Sequence, residues 1–158
     1  MKKEIYEQSG FTLIELVVVF TIIGIMTALG IASFSSFNGS QSVQVGASDV
    51  SNMISTAKSR SISQVKPPQC VGKTLNGYQV NVTALGPAYT LSVICGGTTY
   101  VIDTKDLPFQ VTFANGSTAS VLFAVSTGSV SAPATITVSG YGRTKVISVS
   151  TTGNISVN

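Results

Sequence analysis

The sequence predicts an α+β protein: a long N-terminal helix, one half transmembrane and the other amphipathic, packed on a C-terminal antiparallel β domain. Three observations carry this. An apolar run extends from Phe11 to Ala32 with Glu15 as its only charge; apolar residues then recur at helical spacing as far as Ser61; and after Pro68 the chain turns to short alternating runs rich in Val, Ile, Thr and Tyr.

Bulk composition bounds the rest. A chain of 158 residues, 44% hydrophobic and only 9% charged, holds one membrane segment and one modest domain. The net charge of +3 comes from nine basic and six acidic residues, a mild bias rather than a nucleic-acid footprint. With no His, the commonest general base and metal ligand is missing. No phosphate loop, dinucleotide fingerprint or zinc spacing appears, so neither an enzyme nor a cofactor is expected. Asp103 and Asp106 flank Lys105 in an expected loop before Pro108. Two carboxylates supply too few oxygen donors for Ca²⁺, and no metal is expected.

The run FTLIELVVVFTIIGIMTALGIA, residues 11–32, reaches about 33 Å as a helix, enough for a hydrocarbon core of about 30 Å. Lys2 and Lys3 are the basic residues nearest to it, which places the N-terminus in the cytoplasm and everything after Ala32 outside. A cleaved secretory signal is the competing reading, because Ala28-Leu29-Gly30 resembles a small-x-small site. Glu4, Glu7 and Glu15 weigh against it. An unpaired carboxylate within lipid costs at least about 2.5 to 3.5 kcal/mol, so Glu15 demands a partner or a role.

Beyond the apolar run, residues 33–66 read as an amphipathic extension of the helix. Val43, Ala47, Val50, Ile54, Ala57 and Ser61 form one stripe, with Asp49, Lys58 and Arg60 among the polar residues around it. SFSSFNGSQS is a poor helix former and reads as a weak point between the two halves. Pro67 and Pro68 place the helix end near Gln64 or Val65. Residues 69–158 form the β domain. Eight strand-length runs, GYQVNVTA, AYTLSVIC, TTYVID, FQVTFA, SVLFAVS, ATITVSG, TKVISVS and NISV, are separated by turn residues such as Gly86-Pro87 and Asn115-Gly116. Their apolar faces need cover, and the helical stripe is the nearest apolar surface. Cys70 and Cys95, the only cysteines, are expected to form a disulfide outside the cytoplasm.

The leader and the helix start carry a resemblance. A short polar segment ending at Gly10, then Phe11-Thr12-Leu13-Ile14-Glu15-Leu16 opening an apolar run, resembles the prepilin signature of type IV pilins and type II secretion pseudopilins. The resemblance implies that residues 1–10 are a leader, cut between Gly10 and Phe11 by a membrane prepilin peptidase, with methylation of the new Phe11 amino group. It implies a subunit held in the cytoplasmic membrane by lipid contact before assembly. An inner-membrane assembly platform then draws it, with other pilin or pseudopilin subunits, into an extracytoplasmic filament. Cleavage leaves an α-ammonium four residues before Glu15, one turn away if both are helical. That ammonium, from its own subunit or from a neighbouring one, is a partner for Glu15 in assembly.

A second resemblance is finer. Ala57-Lys58-Ser59-x-x-Ile62, then Cys70-Val71, and the tail with Phe123, Gly128 and Gly153 are similar to the H-type pseudopilin and FimT minor pilin group. Members of its DNA-binding branch carry Gly-Arg-x-Arg in the terminal hairpin, where this chain reads Gly153-Asn154-Ile155-Ser156. One strand earlier stands Gly142-Arg143-Thr144-Lys145. Arg143 and Lys145, two apart and so on one strand face, are the candidate DNA contacts, with Lys73 or Lys105 as further cations. The alternative function is therefore DNA uptake; the bland reading of the pair is a solvated strand face.

Overall fold

The structure, a computed structural model, describes residues 10–158, without the side chains of residues 29–36. The expected leader thus lies outside the described residues except for Gly10. Helix α1 (Leu13–Ile62) is followed by a single 3₁₀ turn (Pro68–Cys70) and eight strands. These are β1 (Leu75–Val82), β2 (Ala88–Cys95), β3 (Thr98–Asp106), β4 (Val111–Phe113), β5 (Ser120–Ala124), β6 (Ala134–Gly140), β7 (Arg143–Val149) and β8 (Ile155–Val157). All eight expected strands are present. The chain divides into two compact units, Met1–Asn38 and Gly39–Asn158, and α1 contributes to both.

In the first unit, α1 starts at Leu13 rather than at Phe11. The Thr12 hydroxyl accepts the Glu15 N–H at 3.3 Å, and the Thr12 carbonyl accepts the Leu16 N–H at 3.2 Å. Thr12 is therefore the N-cap and Glu15 the third helical residue, the spacing of a capping box. Thr21 and Thr27 donate their hydroxyls to the carbonyls of Val18 and Ile23, both at 2.7 Å, so neither leaves a polar group unsatisfied in the apolar run. Among the described residues no helix is long and apolar enough to cross a membrane. The described side chains of the apolar run stop at Ala28, whereas a span needs about 20 residues. The crossing expected over residues 11–32 extends past them.

The second unit holds the core. All six residues of the predicted stripe are buried, with Met53 beside them. No helix break appears in SFSSFNGSQS, although the boundary between the two units falls inside it. Gly39 is helical and buried because the β6–β7 turn lies on it: a Cβ there would come within 2.8 Å of the Tyr141 Cβ. The intrinsic weakness of the segment is offset by packing that only a glycine permits.

The helix ends two to three residues earlier than expected, and by a different device. Gln64 takes a left-handed φ of 51°. Its N–H bonds the Ser61 carbonyl at 3.3 Å, and the Val65 N–H bonds the Arg60 carbonyl at 3.1 Å. This is a Schellman cap, complete before Pro67 is reached.

The strands form two four-stranded antiparallel sheets, in the orders β3-β2-β1-β5 and β4-β6-β7-β8. Alternation sends Tyr78, Val80 and Val82 of β1, Tyr89, Leu91 and Val93 of β2, and Ile136 and Val138 of β6 into one core with the α1 stripe. The sheets join where the backbone of the β1–β2 turn meets β4. Leu85 N–H bonds the Phe113 carbonyl and Phe113 N–H the Gly86 carbonyl, each at 3.0 Å. Tyr89 and Phe113 seal that seam edge to face, their ring centroids 6.0 Å apart. Asp103, Lys105 and Asp106, expected in a loop, belong to β3, which carries a bulge opposite Leu91 and Ser92. The bulge absorbs the charged end of the strand into the ladder.

One buried polar residue ties helix to sheet. Ser61, at the foot of the stripe, donates to the Phe123 carbonyl of β5 at 3.0 Å and accepts the Tyr78 N–H of β1 at 3.2 Å. The Tyr78 hydroxyl reaches back to the Val65 carbonyl at 2.6 Å. Burial raises the Tyr78 pKa, with Arg60 nearby opposing it.

Candidate processing and assembly site

Gly10, Phe11 and Glu15, the residues expected to carry processing and assembly, lie at the start of α1. Gly10 and Phe11 have no regular secondary structure, and all three are exposed. An exposed peptide without regular structure before a capped helix is a form in which a peptidase can receive a scissile bond. With the leader attached, Phe11 precedes the cap, so the helical i, i+4 geometry that would set it beside Glu15 does not reach it. Glu15 instead sits in the first helical turn, where a carboxylate complements the helix dipole. Sequence reasoning missed Thr12, although Thr-x-x-Glu ahead of an apolar run is the signal that finds it.

The cysteines behave as expected. Cys70, in the 3₁₀ turn, and Cys95, the last residue of β2, are fully buried and form a disulfide with Cα atoms 5.5 Å apart. It clips the segment after the helix to the end of the first sheet.

The basic residues are not gathered. Arg143 and Lys145 share a face of β7 with buried Ile147 and Val149, at the end of the strand before the buried part begins. This is the core-facing side of the sheet rather than its outer, solvated side. Lys73 and Lys105 associate with the other sheet. The Lys73 ammonium donates to the Tyr100 hydroxyl at 2.5 Å and lies 4.8 Å from that ring's centroid. The hydrogen bond from Lys73 holds the Tyr100 pKa below its ordinary value. Lys105 lines a groove of about 410 Å³ between α1 and β3, together with Asp49, Arg60 and Asp103. Charges of both signs face that groove, which gives it no preference for a polyanion.

The terminal hairpin is explained by packing. A Cβ on Gly153 would strike the Gly128 carbonyl, and one on Gly128 would come within 2.7 Å of the Ile62 side chain. Both glycines have positive φ, 62° and 76° in chain order. The two glycines of the tail pattern thus let two turns close on each other beside α1. Among the described residues no group of three or more metal-ligating side chains occurs.

Comparison with known proteins bears on the helix start alone. No curated protein and no solved structure matches the chain. Residues 6–31, from the leader through the apolar run, match the prokaryotic N-terminal methylation motif, so the chain carries the mark of type IV pilin-like, prepilin-type proteins.

Proposed function

We propose that this protein is a minor pilin or pseudopilin whose activity is assembly rather than catalysis. The observation that carries the reading is the methylation motif at residues 6–31, which runs into the first part of a helix whose outer half is the spine of a β domain. In this reading residues 11–32 anchor the precursor in the cytoplasmic membrane with the leader in the cytoplasm. Prepilin peptidase cuts between Gly10 and Phe11, the Phe11 amine is methylated, and the subunit joins other pilin-like subunits on an inner-membrane platform. The Gly39–Asn158 unit then sits outside, where an oxidising environment sustains Cys70–Cys95.

Processing supplies what Glu15 lacks. Loss of the leader leaves Phe11 as the one residue before the Thr12 cap and gives it a positive α-amine close to the first turn. That amine, on the same or an adjoining subunit, compensates a carboxylate that lipid penalises. The similarity of Ala57-Lys58-Ser59, Ile62 and the Gly128 and Gly153 tail to the H-type and FimT group is the ground for reading a minor pilin or pseudopilin.

The test is co-expression with a prepilin peptidase. The expected product has lost residues 1–10 and gained one methyl group at Phe11 by mass. A Glu15→Val variant is expected to be cut normally but to stay out of sheared filaments. Retention of the leader in the parent chain refutes the processing role, and normal filament entry of Glu15→Val refutes the assembly role of Glu15.

A further inference from the structure

Phe109 is 81% exposed, the most exposed large apolar side chain of the Gly39–Asn158 unit. It is not isolated. The Tyr141 hydroxyl donates to the Phe109 carbonyl at 3.1 Å, and Tyr141, itself 46% exposed, rests its Cβ and ring on Gly39. Phe109 is thus one tyrosine ring away from the point at which the chain passes from one compact unit to the other. Arg143 follows the same β-turn and is exposed, and Lys145 lies two residues further along β7. Asp106, three residues before Phe109, is an exposed carboxylate near it in sequence. An exposed apolar ring, a tyrosine and two cations make the composition of a protein surface at the lipid headgroup level, where Tyr and basic side chains are enriched and apolar rings insert.

From this juxtaposition we propose that the Gly39 end of the β unit, through Phe109, Tyr141, Arg143 and Lys145, docks on the anionic headgroups of the membrane that anchors the precursor.

The proposal rests on the membrane-anchored reading given above, and chain length does the rest. The roughly seven residues from Ala32 to Gly39 reach at most about 25 Å even if fully extended. A hydrocarbon core of about 30 Å is flanked by headgroup layers that bring the total to about 40 to 45 Å, so this end of the unit is held close to the headgroups whatever path those residues take. A tether so short keeps the effective concentration of the surface near lipid high, and a patch too weak to bind a membrane on its own can remain docked. Each basic residue biases the docked state by roughly fivefold against an anionic leaflet. Docking would hold a subunit at the bilayer surface until a filament extracts it, with the patch released on assembly.

The chain contains no Trp, so a single introduced indole reports one position without interference. The full chain carrying Phe109→Trp is reconstituted into phosphatidylcholine vesicles containing phosphatidylglycerol, with bromine-labelled lipid as quencher. Val71→Trp serves as the comparison. Val71 is also exposed and follows Cys70, which is bonded to the end of β2 opposite Pro87 and Leu107. The expected result is blue-shifted emission from the Phe109→Trp chain, quenched several-fold more steeply than emission from the Val71→Trp chain. Adding Arg143→Glu and Lys145→Glu together should reduce that excess.

Equal quenching at the two positions in a chain that resists carbonate extraction overturns the docking surface and leaves the membrane anchor standing. Extraction of the chain by carbonate overturns both. If the double charge reversal leaves quenching unchanged yet abolishes retardation of duplex DNA, the basic pair serves nucleic acid and the lipid proposal is overturned.

Discussion

Replacing Ser61 by Ala isolates the clasp between helix and sheet. Ser61 has no exposed surface, and its hydroxyl makes two bonds, to the Phe123 carbonyl at 3.0 Å and from the Tyr78 N–H at 3.2 Å. A net hydrogen bond is worth about 1 kcal/mol, and a buried group stranded without its partner costs about 1 to 3 kcal/mol. The substitution removes one oxygen and weakens two backbone partners at once, so the expected loss is about 2 to 3 kcal/mol. Helix propensity runs the other way, since Ala is the better helix former by a few tenths of a kcal/mol. Burial therefore decides the sign.

The assay is denaturant unfolding of the Gly39–Asn158 unit, which contains every residue of the buried core. The midpoint should fall with little change in slope. Ser55→Ala is the comparison, because the exposed Ser55 hydroxyl only bonds back to the Ser51 carbonyl of its own helix at 2.9 Å. That variant should be neutral or slightly stabilised. A Ser61→Ala variant within about 0.5 kcal/mol of its parent would refute the argument that this hydroxyl locks α1 to β1 and β5.

Three further outcomes follow from the same packing. Opening Cys70–Cys95, by reductant or by Cys70→Ala with Cys95→Ala, should lower stability by about 3.5 kcal/mol for a sequence separation of 25, measured as a shift in denaturant midpoint. Gly153→Ala should cost at least about 2 kcal/mol in the same assay, because it adds a methyl against the Gly128 carbonyl at a left-handed φ of 76°. Burial, reinforced by Asp49, Asp103 and Asp106, pushes the Tyr89 pKa up to about 12. The folded chain thus holds this proton more tightly than the unfolded one, whose Tyr titrates near its ordinary value of about 10. The Tyr89 contribution to stability is complete below about pH 10 and is lost as pH rises towards 12. Thermal melts across that window should show a decline that is shallower in Tyr89→Phe.

What the sequence determined by itself is what lies in local pattern. A stripe at steps of four and three from Val43 to Ser61 is helical whatever it packs on, because side chains at those steps share a face. The eight strands are legible for the same reason, as alternation with turn residues between. The methylation motif is legible because it is contiguous, from Gly10 through Glu15, and Thr12 could have been read from it as the cap. Cys70 and Cys95 were legible because two cysteines leave one pairing.

Only tertiary structure decided which strands pair and where the sheets part. That Phe113 bridges the β1–β2 turn, or that Tyr141 needs Gly39 beneath it, depends on residues about 30 to 100 positions apart, and no local periodicity encodes such contacts. The same holds for the end of the helix, where a non-glycine residue in the left-handed region stops α1 ahead of the prolines. It holds most of all for the basic residues. Arg143 and Lys145 share a strand face by spacing alone, but only the fold shows that this face is the core side of its sheet, beside Tyr141 and Phe109, with Lys73 and Lys105 on the other sheet. Charge is a property of the residue; the surface on which it acts is a property of the packing.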